Sequence, residues 1–211
     1  MTSIPLPSLT QILGAGDDAF RQSNLTPLWV IAGNGNDDIA VQALSWVSGG
    51  NGDDILRGVS YDTATGLGVR LNGDAGNDQV YGSRGDDILA GGIGNDLLGG
   101  GGSYTTFGDE IWGGAGADRF YQSTGSKNAV SGLASGWARD FSIAEGDVIA
   151  LGGATGYTLT DISFKGFTGA LVSATNDANV NIFVTGVTSA ALANANALNG
   201  GLPILLQGGQ V

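Results

Sequence analysis

The sequence predicts an all-β fold: a right-handed parallel β-roll of glycine-rich nonapeptide repeats followed by a β-rich C-terminal cap. Three observations predict it. Glycine occurs 39 times in 211 residues, more than twice its ordinary usage. Eight short units share one frame, an aspartate followed two residues later by a large apolar side chain. The intervals between those aspartates are nine residues, or nine or eighteen adjusted by a few.

The units centre on Asp18, Asp37, Asp54, Asp78, Asp87, Asp96, Asp109 and Asp118. Asp78, Asp87 and Asp96 are nine apart, as are Asp109 and Asp118. Asp96 to Asp109 is thirteen, nine plus a four-residue insertion around Ser103–Thr106. Asp18 to Asp37 is nineteen and Asp37 to Asp54 seventeen, each close to two nonapeptides. Asp54 to Asp78, at twenty-four, carries about six extra residues near Tyr61–Gly66. If two nonapeptides make one coil, Asp18, Asp37, Asp54, Asp78, Asp96 and Asp118 stack along one edge and Asp87 and Asp109 along the other. In the first half the second edge is turned by segments without the motif, such as Ser23–Leu28. Strands then follow at Trp29–Ile31, Leu44–Val47 and Val69–Leu71.

Each unit reads as a six-residue turn and a three-residue strand. Glycine supplies positive φ and close approach of carbonyls in the turn. Side chains alternate along the strand, so Phe20, Ile39, Leu56, Val80, Leu89, Leu98, Ile111 and Phe120 point into a thin core. Isolated Gly/Asn/Asp strings usually mark ordinary turns or flexible linkers. Eight units in one frame do not fit that reading.

Composition narrows the chemistry. Twenty acids face eight bases, a formal charge of −12, which disfavours nucleic acid and anionic lipid as partners. Cysteine and histidine are absent, removing disulfides, thiolate and imidazole metal sites, and catalysis built on a histidine base. Carboxylates and carbonyls remain, hard oxygen ligands suited to Ca²⁺. Stacked turns bring aspartates together, repulsive without cations and favourable with calcium between them. Binding energy then becomes folding energy.

The repeats resemble the RTX (repeats-in-toxin) haemolysin-type calcium-binding nonapeptides of secreted toxins, serralysin-like proteases, lipases and epimerases. The resemblance covers Leu13 to Leu151, most strongly Gly73–Gly100, with Gly91–Asp96 an intact turn. It implies several structural calcium ions held by the eight aspartates and by carbonyls of turn residues, among them Gly33, Gly35, Gly50, Gly52, Gly76, Gly91, Gly94, Gly113 and Gly116. Asp74 and Ser83 depart from the pattern at second-position glycines, and Phe107 stands where a fourth-position glycine belongs. The first half lacks motif turns on one edge, so fewer ions than repeats are expected. The string Arg139–Leu151 is similar to the segment that ends many RTX rolls. Asp140 and Asp147 match its aspartates and are implied at terminal calcium sites, while Ala150 replaces its last acid. The other reading makes these two aspartates surface turn residues.

Three parts follow: a calcium-binding roll over residues 1–121, a linker and roll-terminating segment over 122–151, and a C-terminal cap over 152–211. In the cap, Tyr157–Leu159, Ala170–Val172 and Val180–Val184 read as strands, Thr188–Leu198 as a helix, and Pro203–Leu206 as an apolar tail. This acid-poor end resembles an uncleaved type I secretion signal and equally fits a cap that protects the last coil. The N-terminus shows no basic region or apolar run of a Sec signal, and no apolar stretch is long enough for a transmembrane helix.

The function expected is that of a secreted, extracellular calcium-binding protein whose partners are Ca²⁺ and the type I secretion apparatus. An enzyme is disfavoured, because the acids already occupy the calcium lattice and Lys127 and Lys165 are the only lysines. One alternative is a non-catalytic appendage related to secreted hydrolases; the other is a surface-layer, adhesion or glycan-binding module at the cell surface. Trp29, Trp46, Tyr61, Tyr81, Tyr104, Trp112 and Tyr121 would support the module if several were exposed on one flat face.

Overall fold

A computed structural model describes residues 7–59, 66–101, 108–123, 136–177, 179–198 and 204–207. The insertion at Ser103–Thr106, Phe107, Tyr61, Tyr104 and Pro203 lie outside them. The described residues form two sheets that the chain visits alternately. Its first strands are β1 (Leu9–Ala15), β2 (Ala19–Arg21), β3 (Leu28–Asn34), β4 (Asp38–Val41), β5 (Trp46–Asn51) and β6 (Ile55–Gly58). There follow β7 (Leu67–Ala75), β8 (Gln79–Tyr81), β9 (Asp86–Ile93), β10 (Leu97–Gly99), β11 (Asp109–Ala115) and β12 (Arg119–Ser123). Odd strands pair in parallel in one sheet and even strands in the other, so the fold is a parallel β-roll.

The roll does not stop at residue 121. β13 (Gly136–Ala138) pairs with β11, and β14 (Val148–Gly152) pairs with β12, so one further coil is laid on both sheets. A hairpin of β15 (Tyr157–Phe164) and β16 (Phe167–Ala174) leads to β17 (Asn181–Thr185), which lies parallel to β13 and antiparallel to β16. Helix α1 (Ser189–Leu198) and β18 (Ile204–Gln207), parallel to β14, complete the chain's described part. Among the described residues the sheets hold ten and eight strands.

Sequence spacing explains this order. An apolar side chain two after each aspartate faces inward, and Ile39, Leu56, Val80, Leu89, Leu98, Ile111 and Phe120 are all fully or almost fully buried. Phe20 is only half-buried, because β2 is the end strand of its sheet and nothing described covers it. On the motif-poor edge, a polar network replaces the aspartate turn. Gln22 Oε1 accepts from the Gln42 N–H (2.9 Å) and Ser45 Oγ (3.0 Å), while Ser45 Oγ accepts the Leu28 N–H (3.1 Å). Both side chains are buried.

At the other end α1 buries Leu192 against the main core. Its first turn is capped by Thr188 Oγ1, which accepts the Ala191 N–H, and by Asp161, which accepts the Ser189 N–H at 2.6 Å. The hairpin tip joins a separate aromatic cluster on the outer sheet face. Trp137 is buried there, and the Arg139 guanidinium lies 4.0 Å from its ring centroid.

Leu98→Ala should therefore destabilise the calcium-loaded protein by about 2–5 kcal/mol, a buried aliphatic truncation. Phe20→Ala should cost clearly less despite the larger side chain. Thermal unfolding in saturating calcium measures both; equal losses would contradict the burial gradient.

Candidate metal centre

The turns that join the odd sheet to the even one stack their aspartates into a ladder. The backbone N–H of Asp18 donates to Asp37 Oδ1 (2.7 Å), and Asp37 donates likewise to Asp54, Asp54 to Asp78, and Asp78 to Asp96, each at 2.8 Å. Asp96 donates to Asp118 and Asp118 to Asp147, both at 2.9 Å. Six of these carboxylates, Asp37 through Asp147, are buried. One oxygen of each is satisfied by the neighbouring coil. The second, Oδ2, is buried without a hydrogen-bond partner in Asp37, Asp54, Asp78, Asp96 and Asp118.

Glycine at the first turn position makes room beside that oxygen. A Cβ added to Gly91 would collide with Asp96 Oδ2 and lie 2.6 Å from the Gly113 carbonyl oxygen. Gly73 stands in the same relation to Asp78 Oδ2 and the Gly91 carbonyl (2.6 Å), and Gly49 to Asp54 Oδ2 and the Gly73 carbonyl (2.7 Å). Gly113 likewise faces Asp118 Oδ2. The cradles at Gly49, Gly73 and Gly91 thus present a carboxylate oxygen and the next turn's carbonyl to one space, and the carboxylate oxygen meets no donor. Two such oxygens repel one another; a hard cation reverses the sign. The donor set fits Ca²⁺. Among the described residues no group of three acidic side chains gathers at one point, so each ion would draw on carbonyls as much as carboxylates.

The glycines at the other turn positions have a different task. A Cβ on Gly33 or Gly50, or on Gly35, Gly52, Gly76, Gly94 or Gly116, would strike backbone of the preceding turn. Close stacking of the turns requires glycine there. At Gly92 and Gly94 the positive φ values of 123° and 139° add a second reason.

Position one also grades the row. Ala32 stands where Gly49, Gly73, Gly91 and Gly113 stand in later turns, and Leu13 holds that place in the first turn. A buried methyl therefore fills the cradle beside Asp37. The open cradles on this edge begin at Asp54.

The second edge brings Asp87 and Asp109 together, with the Asp87 N–H donating to Asp109 Oδ1 at 3.1 Å. Asp109 Oδ2 is buried and unpartnered beside Gly100. Asp87 differs: its carboxylate accepts the N–H groups of Val69 (2.7 Å) and Ser83 (2.6 Å) and the Ser83 hydroxyl (3.0 Å). Ser83, a departure from the repeat, is thus an Asp87 partner.

The two terminal aspartates separate. Asp147 is buried and ends the ladder, because its Oδ2 accepts the Ser142 N–H at 2.8 Å. Asp140 is exposed, off the ladder, and accepts the N–H groups of Gly113 (2.9 Å) and Gly114 (3.0 Å). It holds the shape of the last open turn.

A second ladder escaped the sequence reading. The side-chain oxygens of Asp17, Asn36, Asp53, Asn77 and Asn95 each accept the backbone N–H of the equivalent residue one coil later. These bonds run opposite in direction to the aspartate ladder and end at Ala117, which offers no side-chain oxygen. The signal was present in the sequence, as Asn or Asp immediately before nearly every ladder aspartate.

Burial pushes the ladder carboxyls up, with the neighbouring aspartates adding to the rise at most positions. Asp54 reaches about 6, and Asp78 and Asp118 about 7. Asp87 is likewise raised to about 7, mainly by burial, and Asp109 well above its ordinary value. Metal-free, the folded state thus binds protons that the unfolded chain releases.

Comparison with known families places these turns. The model of the RTX calcium-binding nonapeptide repeat matches in four copies, over residues 45–60, 70–98 and 105–125. This chain carries haemolysin-type RTX calcium-binding repeats. The matched segments hold the turns at Asp54, Asp78, Asp87, Asp96, Asp109 and Asp118, and begin after Ala32. Comparison with curated proteins returned no match.

Two outcomes follow. Gly91→Ala should lower the calcium stoichiometry measured by calorimetry, whereas Ala117→Gly, outside the cradles, should leave it unchanged. Because the folded carboxyls titrate above the unfolded ones, their contribution to metal-free stability is present at low pH and lost as pH rises through 6–7. Metal-free protein should gain β-structure in circular dichroism between pH 8 and about pH 5. Calcium-loaded protein should show the opposite trend as protons displace the ion.

Proposed function

We propose that this chain is a secreted, non-catalytic protein whose RTX repeats fold on binding Ca²⁺ outside the cell. One observation carries the proposal: the succession of buried aspartate oxygens without a donor, which at Asp54, Asp78 and Asp96 share a glycine-lined space with the next turn's carbonyl. Inside a cell, where free calcium is scarce, the same oxygens oppose folding and keep the chain extended enough to thread an exporter. Outside, millimolar calcium turns that repulsion into stability by mass action. Calcium is then structural. The absence of histidine and cysteine and the commitment of the acids to the lattice support a non-catalytic role.

The end of the chain fits export and capping together. α1 covers the core at the last coil and β18 extends the even sheet, while the acid-poor composition suits a type I signal. A second reading, a binding module built on the roll, is favoured by Trp29, Trp46 and Trp112, which share the outer face of the ten-stranded sheet.

Circular dichroism in EGTA should show a largely unstructured chain that becomes β-rich as millimolar Ca²⁺ is added. Equal β content in both conditions would sink the proposal. Removing Ala190–Val211 should abolish export from a type I secreting host. Undiminished secretion would leave those residues with capping alone.

A further inference from the structure

The outer face of the ten-stranded sheet carries a patch that calcium binding leaves unused. Registers between β3, β5 and β7 align Trp29, Trp46 and Arg70 in one outward row, then Ser48 and Asn72 in the next, then Gly50 and Asp74. Trp29 is 37% exposed. Its ring meets that of Trp46 edge-on, with centroids 6.1 Å apart, and the Arg70 guanidinium lies 5.0 Å from the Trp46 centroid.

Asp74 is the anomaly. It holds the second turn position, where Gly33, Gly50, Gly92 and Gly114 have φ between 101° and 123°, and its own φ is 74°. Few non-glycine side chains adopt that region, aspartate and asparagine more readily than others, and an outlier kept in a fold is a ground for a functional hypothesis. Nor does Asp74 join the aspartate ladder. Its carboxylate accepts from Ser48 Oγ and Asn72 Nδ2 instead, which fixes it on the sheet surface two rows beyond the tryptophans.

We propose that Trp29, Trp46, Arg70, Ser48, Asn72 and Asp74 form a binding subsite for a neutral glycan. A rigid carboxylate accepts hydrogen bonds from sugar hydroxyls, the amide and guanidinium donate them, and an exposed indole covers the apolar face of a sugar ring. Three strands and four residues of rise make a surface of about 10 by 13 Å, enough for a short oligosaccharide. The net charge of −12 and the Asp74 carboxylate disfavour acidic polysaccharides. The subsite rests on the calcium reading, since β3, β5 and β7 align only in the folded roll.

The test uses the full chain in saturating calcium, titrated with cellohexaose, mannohexaose and laminarihexaose while tryptophan fluorescence is followed. At least one should give a saturable change, and Trp29→Ala and Asp74→Gly should each weaken it by about tenfold or more. Asp74→Gly restores the residue used by the other turns, so its β-structure and calcium stoichiometry should equal the parent's. No binding of any of the three by a chain that is β-rich in calcium overturns the subsite and leaves the calcium reading standing. Unchanged affinity in Asp74→Gly, or loss of a calcium ion in that variant, overturns it as well. A chain that gains no structure with calcium overturns both.

Discussion

Along one edge of the roll, carboxylates from Asp37 to Asp147 are buried one coil apart, each tied to the next by a single backbone hydrogen bond. Burying one unpaired charge is costly, and burying a row of them costs more. The rest of the structure depends on how that cost is met. Backbone N–H groups satisfy one oxygen per residue, and calcium is the species suited to the other. The glycines follow from the same constraint. Some leave space beside the carboxylate, and others let turns stack at backbone contact. The apolar core between the sheets is only one side chain deep from each strand, so it cannot be expected to offset the charge row unaided.

Much of this was legible in the sequence because the repeat is covalent arithmetic. The interval of nine fixes which aspartates share an edge, and the apolar residue two after each aspartate fixes which side faces the core. The cap strands and α1 were legible from alternation and from Thr188 preceding an alanine-rich run. What escaped depends on contacts between coils. Asp87 and Asp109 look equivalent as motif members, yet Ser83 and Val69 saturate Asp87 and leave Asp109 Oδ2 without a partner. Ala32 looks like a tolerable change from glycine until the neighbouring turns show that this position faces the carboxylate. The Asn/Asp ladder at the preceding position was visible as a pattern but had no meaning before the turns were stacked.

The C-terminal end of the ladder and the motif-poor edge are handled by the same chemistry in altered form. Asp147 receives two N–H groups and needs no cation, so the row closes without an exposed charge. Where motif turns are missing on the other edge, Gln22 and Ser45 supply neutral hydrogen bonds in place of a metal. The row thus ends on a saturated carboxylate at Asp147, while Asp37 near its other end keeps a buried Oδ2 without a hydrogen-bond partner. A chain built this way has a folded state conditional on the ion over its middle, with a hydrogen-bonded closure at Asp147. Its outer sheet face is free to carry side chains unrelated to the lattice, as Trp29 and Asp74 illustrate.

The most direct measurement is anomalous diffraction from crystals of the full chain grown in calcium chloride. Peaks are expected between successive turns from Asp54 onward and beside Asp109, each with an aspartate oxygen and a glycine carbonyl at about 2.3–2.6 Å. No peak is expected in the cradle filled by Ala32. Ordered aspartates without anomalous peaks between them, or peaks confined to exposed carboxylates such as Asp140, would contradict it.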